Sequence, residues 1–270
     1  MIPYGRQSID KYDIEAVEKI LKSDWLTQGP TVKNFEAEVC CYTGAPYGVA
    51  VNSATSALHI ACIALGLGSG DILWTSPNTF VASANCALYC GAEVDFVDIC
   101  PDTFNMSYVA LRTKLIRAKK LGKLPKIVIP VHFGGQSCEM EKIKKLAEEY
   151  KFKIIEDASH ALGAEYNDKS VGECEHSDIT VFSFHPVKMI TTGEGGMAVT
   201  RSKSLYEKMQ VARSHGIVRD PKMFSEANDG EIWGFQQLDL GFNYRMSDIH
   251  AALGISQLKK LNHFIRRRTE

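Results

Sequence analysis

From Tyr47 to Glu156 the chain repeats one pattern, in which a short apolar, β-branched run is followed by a stretch with helical spacing. The runs are 47–51, 72–76, 94–99, 126–133 and 152–156, and the helical stretches between them are 55–67, 79–90, 108–121 and 140–150. Strands joined through helices can return to the same edge and lie parallel. A parallel sheet is apolar on both faces, so it needs helices on both sides. The expected fold class is therefore α/β, with a mainly parallel central sheet and helices on both faces. Helices at 11–22 and 32–43, separated by a turn-rich arm at 25–30, precede this body. After Glu156 the strands come closer together, at 179–184 and 197–200, and helices follow at 204–214 and 248–261.

Composition narrows the function classes. Thirty-one basic residues against thirty-two acidic ones leave a net charge of −1 in 270 residues, which provides no footprint for nucleic acid or an anionic membrane. The eight cysteines, at 40, 41, 62, 86, 90, 100, 138 and 174, contain no CxxC pair. They read as small core fillers rather than a disulfide or metal framework, so no metal site is expected and the compartment is expected to be reducing and cytoplasmic. The N-terminus lacks the apolar core of a signal peptide, and the apolar run at 57–68 is too short to span a bilayer. Small molecules and copies of the chain itself are the expected partners.

The chemistry-bearing residues sit at strand ends. Lys188 lies between the aromatic strand end Ser183-Phe184-His185 and the turn Gly193-Glu194-Gly195-Gly196. A lysine held there loses hydration, and a neutral amine is a nucleophile that forms Schiff bases. At Ser53-Ala54-Thr55-Ser56 a strand gives way to a helix, and two readings stand: a plain N-cap, or a helix N-terminus whose amides bind a phosphate. Asp157 and His160 follow a buried strand, and two readings stand: a turn acid with a packed histidine, or a pair at the sheet edge where open α/β folds bind ligands. Together with Lys188 they suit a pyridinium cofactor, which needs an anion at its ring nitrogen and a lysine at its aldehyde. Phe80 is either a core aromatic or a ring-stacking one. Asn243 is either turn chemistry or a site residue, while His132 and His185 read as satisfied structural histidines.

These segments, in this order, resemble the DegT/DnrJ/EryC1/StrS sugar-nucleotide aminotransferases, pyridoxal-phosphate enzymes of the aspartate-aminotransferase fold. The resemblance runs from Leu26-Thr27-Gln28-Gly29-Pro30 through Glu156-Asp157-Ala158-Ser159-His160 and Ser183–Lys188 to Asn243-Tyr244-Arg245-Met246. It implies that Lys188 is the Schiff-base lysine, that Asp157 pairs with the pyridine nitrogen and that His160 lies near the ring hydroxyl. Phe80 would stack on the ring. Ala54, Thr55 and the Ser183 hydroxyl would hold the phosphate, with Asn243 reaching in from the partner of a homodimer. Tyr4 and the arm residues Asp24, Trp25, Leu26 and Thr27 match segments that line the sugar site. Glutamate is the implied amino donor and a UDP-linked 4-keto deoxysugar the acceptor, most like the branch on the route to pseudaminic acid. The dehydratase branch carries histidine where this chain has Lys188. The implied organisation is an N-terminal helix and arm at 1–30, a cofactor-binding large domain at 31–250, and at 251–270 the start of a connection to a C-terminal small domain. The end at 265–270 reads as an unfinished helix without a C-cap glycine, so the chain is expected to be truncated.

Overall fold

A computed structural model describes residues 5–219, 224 and 234–270. In chain order the elements are α1 (Lys11–Leu21), α2 (Pro30–Thr43), β1 (Tyr47–Val51), α3 (Ala54–Ala64), β2 (Ile72–Thr75), α4 (Ala82–Tyr89), β3 (Glu93–Phe96), α5 (Tyr108–Leu121), β4 (Ile127–Ile129), α6 (Met140–Tyr150), β5 (Lys153–Asp157), β6 (Glu165–Tyr166), β7 (Lys169–Ser170), β8 (Ile179–Ser183), β9 (Gly196–Thr200), α7 (Lys203–Arg213), β10 (Ile217–Val218), β11 (Gln236–Gln237), α8 (Asp248–Leu258) and α9 (Leu261–Thr269). Seven strands form one sheet in the order β1-β9-β8-β5-β4-β2-β3. The pairings make β9 the one reversed strand of this sheet; the rest run parallel.

The alternation along each strand decides which helices cover which face. Val49, Val51, Ile127, Ile129, Ile155 and Val181 point into one core with α3, α4 and α7. Their neighbours point the other way: Ala50, Phe182 and Met197 into a core with α2 and α8, and Trp74, Val128 and Ile154 into a core with α5 and α6. That two-residue period is what a sheet buried on both faces requires.

Several boundaries differ from the sequence reading. The expected strand at 126–133 ends at Ile129, because Pro130 has no amide to donate to a ladder, and the chain turns through Phe133–Gly135 with Gly134 at φ 61°. The expected helix at 79–90 begins at Ala82, leaving Asn78, Thr79 and Phe80 in a loop. The expected helix at 248–261 is two helices broken at Lys259-Lys260, where the Lys260 ammonium is drawn to Asp10 and Asp13 of the α1 N-terminus. A hairpin, β6–β7, turns on Asn167 and Asp168, both at positive φ, the conformation a two-residue I′ turn needs. Of the cysteines read as core fillers, Cys62, Cys86, Cys138 and Cys174 are buried, but Cys41 is exposed on α2. No helix among the described residues is long and apolar enough to cross a membrane.

Candidate active site

The C-terminal ends of β2, β4, β5 and β8, with the N-terminus of α3, surround a cavity of about 610 Å³. Lys188, Asp157, His160, Ser183, Ala54, Thr55 and Phe80 all line it. Residues separated by more than 130 positions in sequence thus meet at one sheet edge, as parallel topology dictates.

Lys188 sits on a loop fixed from several sides. Its amide donates to the His185 carbonyl (2.9 Å), and Arg268 of α9 donates to its own carbonyl (3.0 Å). The Phe184 amide donates to Gly195 and the Thr192 amide to Phe184, tying both ends of the loop to the glycine turn. Burial pushes the Lys188 amine below the ordinary lysine range, only partly opposed by the Asp157 carboxylate. His160 is likewise pushed down by burial and by the Lys188 charge, which favours a neutral imidazole.

Asp157 ends β5 and is nearly buried. Its Oδ1 accepts from the Ser159 hydroxyl (2.6 Å) and amide (3.1 Å), and its Oδ2 accepts from the Ser83 hydroxyl (2.7 Å). The neighbouring Glu156 points to the opposite face, where His132, Ser177 and Thr180 hydrogen-bond it. Those donors hold Glu156 below the usual carboxylate range despite its burial. His132 has the satisfied hydrogen bonds expected of it, although it also borders the cavity: it donates to Glu156 through Nε2 (2.8 Å) and accepts the Cys138 amide at Nδ1 (3.1 Å).

At α3 the N-cap reading holds, and it leaves the amides that the phosphate reading needs unpaired. Ser53 is the N-cap and its hydroxyl accepts the Ser56 amide at 3.1 Å. Ala54 and Thr55 carry no hydrogen bond on their amides among the described residues, and both face the cavity. Two free amides at a helix N-terminus form an anion cradle. Gly196 lets this cradle sit against β9, since a Cβ there would lie 2.4 Å from the Ala54 nitrogen.

Phe80 is 74% exposed, so it is no core aromatic and its ring is free to cover a ligand. His185 departs from the sequence reading. It is exposed and lines the cavity, because β8 ends at Ser183 and the chain then turns outward. The sequence reading also missed Asn78, Thr79, Ser159 and Glu194, which line the cavity too. Ser159 could have been found, lying inside the quoted Asp157–His160 motif.

Other expected residues lie apart. Asn243 is exposed, bridged to Ser214, and does not line this cavity. The arm residues Asp24, Trp25, Leu26 and Thr27 face solvent; Leu26 and Thr27 are fastened to the start of α8 through Asp248 and Ser247. Tyr4 lies outside the described residues. A second cavity of about 630 Å³ lies between α2, β1 and α7, where Arg213 pairs with Glu36 at 2.6 Å; the lysine that lines it among the described residues is Lys33, on helix α2.

The residues present fit the pyridoxal phosphate that the resemblance implies. A depressed lysine amine, a buried carboxylate, an exposed aromatic and a free amide pair surround one cavity of suitable size.

Comparison with known proteins agrees with this geometry. The signature of the DegT/DnrJ/EryC1/StrS aminotransferase family matches residues 7–270. The UDP-4-amino-4,6-dideoxy-N-acetyl-beta-L-altrosamine transaminase of Campylobacter jejuni subsp. jejuni serotype O:23/36 (strain 81-176) is 45% identical over 271 residues, covering 100% of this chain and 67% of that protein. Among solved structures, Helicobacter pylori PseC, an aminotransferase involved in the biosynthesis of pseudoaminic acid, superposes with a TM-score of 0.85 at 35% identity, over 97% of this chain and 66% of that one. The PLP-form of the putative sugar aminotransferase Spr1654 from Streptococcus pneumoniae gives 0.86 at 29% identity, over 99% and 69%. The chain thus spans about two thirds of the length of these relatives, and it belongs to the DegT/DnrJ/EryC1/StrS aminotransferase family.

Proposed function

We propose that the cavity binds pyridoxal phosphate and that a protein of the relatives' full length uses it to move an amino group from glutamate to the 4-keto carbon of a UDP-linked deoxysugar. The observation that carries this reading is the meeting of Lys188 and Asp157 in one cavity with the free α3 amides. When bound, the cofactor supplies an electron sink for the carbanion that forms at the donor's α-carbon. The Ala54 and Thr55 amides and the Ser183 hydroxyl hold the phosphate, and Phe80 covers the ring and excludes water. The Asp157 carboxylate keeps the ring nitrogen protonated. The Lys188 Nζ would take the proton from the donor's α-carbon and return it to the cofactor; burial favours the neutral amine that can do so. The same groups serve in reverse on the keto sugar.

The relatives named for altrosamine transamination and pseudoaminic acid favour the pseudaminic acid route over other 3- or 4-amino sugars. We take 1–30 as helix and arm, 31–250 as the cofactor-binding domain, and 251–270 as the start of a connection to a smaller domain. Asn243, exposed and outside its own cavity, is assigned to the partner's site in a homodimer. Incubation of the full-length protein with ¹⁵N-glutamate and the UDP-4-keto sugar tests the reaction. Transfer of ¹⁵N to the sugar with release of 2-oxoglutarate is expected; a sugar that stays unlabelled refutes it.

A further inference from the structure

The acceptor positions of Asp157 are nearly all taken. A carboxylate oxygen has two lone-pair positions. Oδ1 fills both, with the Ser159 amide and hydroxyl, while among the described residues Oδ2 accepts from Ser83 alone. One position therefore stays open, and it lies on the oxygen that Ser83 holds. Ser83 is fully buried on α4, 74 residues from Asp157 in sequence.

Ser83 has one hydroxyl proton, and it goes to the carboxylate. The 2.8 Å contact between Ser83 and Thr79 must then be a bond donated by Thr79. The result is a one-way chain, Thr79 to Ser83 to Asp157. Each donor polarises the next. Thr79 lines the cavity beside Phe80, so the loop that bears this ring and the Asp157 carboxylate are linked by two hydroxyls.

We propose that Ser83, supported by Thr79, is a positioning residue that leaves Asp157 Oδ2 as the docking atom for a protonated ring nitrogen. This rests on the pyridoxal-phosphate reading of the cavity. Ser83 touches no ligand; it fixes the rotamer of Asp157 and keeps the open position aimed at the cavity. Ser159 fixes the other oxygen but leaves it no position to offer.

The test compares two ligands that differ only at the ring nitrogen: pyridoxal phosphate, and its 1-deaza analogue with carbon in that place. Dissociation constants are measured by fluorescence titration on the wild type, Ser83→Ala, Ser83→Thr and Thr79→Val. Ser83→Ala is expected to weaken pyridoxal phosphate about tenfold, or ~1.4 kcal/mol, while the deaza analogue changes less than about twofold, or ~0.4 kcal/mol. Ser83→Thr, which keeps the hydroxyl, should restore most of the affinity, and Thr79→Val should show a smaller loss with the same ligand preference. Equal losses for both ligands overturn the proposal and mark Ser83 as packing only; unchanged affinity for pyridoxal phosphate also overturns it. A wild type that binds neither ligand defeats the reading of the cavity itself, which is a separate result from either.

Discussion

Asp248 is the first residue of α8 and is fully buried, yet its carboxylate caps a different helix. Oδ2 accepts the Gly29 amide at 2.8 Å, and Oδ1 accepts those of Thr31 at 2.9 Å and Val32 at 3.4 Å. These are the unpaired amides at the start of α2, whose own N-cap, Gly29, has no side chain to satisfy them. Asp248→Ala leaves two well-formed donors, the buried Gly29 amide and the half-buried Thr31 amide, without a charged acceptor, at about 1.5–3 kcal/mol each, with the third bond too long to add much. The helix N-terminus also loses its negative partner, worth about 0.3–1 kcal/mol. Because these terms overlap, the expected loss is about 3–4 kcal/mol rather than their sum. Asp248→Asn keeps one carbonyl oxygen for Thr31 but turns an NH₂ toward Gly29, so about 2 kcal/mol is expected. Urea unfolding followed by circular dichroism, without added cofactor, reads both values. A loss below about 1 kcal/mol for the alanine variant would refute the capping argument, since it would mean that water reaches these amides.

Three further outcomes follow from the site. Gly196→Ala places a Cβ 2.4 Å from the Ala54 nitrogen, so α3 must shift; phosphate and pyridoxal phosphate affinity should fall at least about tenfold, ~1.4 kcal/mol, by titration, and wild-type affinity would contradict the cradle. Asp157→Asn should retain some cofactor yet lose most turnover, because a neutral amide cannot hold the ring nitrogen protonated; an unchanged single-turnover rate removes Asp157 from that role. The lowered pKa of Lys188 means that the folded state binds its proton less well than the unfolded chain does. That penalty is present below the folded pKa and vanishes above the unfolded value of about 10.4. Lys188→Met should therefore stabilise the cofactor-free protein at pH 7, and the advantage should shrink as the pH rises through that window; thermal melts across it would expose an advantage that stays constant.

Much of this arrangement was legible in the sequence because it depends on period and strand ends. The alternation from Tyr47 to Glu156 predicted a parallel sheet, whose C-terminal strand ends share one edge, which set Asp157 and the α3 N-terminus on the same side; Lys188 follows β8, outside that repeat, and was joined to them by the chemistry of its motif and by the resemblance. Features that depend on side-chain direction were not legible. Nothing local sets Ser83 apart from the other small residues of α4, and only the packing of that helix on the sheet puts its hydroxyl on Asp157. His185 has the same neighbours in sequence whether it is packed or exposed; the end of β8 at Ser183 decides it. The Asp248 cap links residues more than 210 positions apart, beyond the reach of any local pattern.

The central claim is that Lys188 is the residue on which a pyridoxal cofactor is held. The most direct measurement is to add pyridoxal phosphate to the purified chain, record the visible absorbance, reduce with borohydride and map the labelled peptide. The account predicts one dominant adduct, on the peptide that carries Lys188, and its loss in Lys188→Ala. Label spread evenly over surface lysines, or equal labelling of the alanine variant, would contradict it.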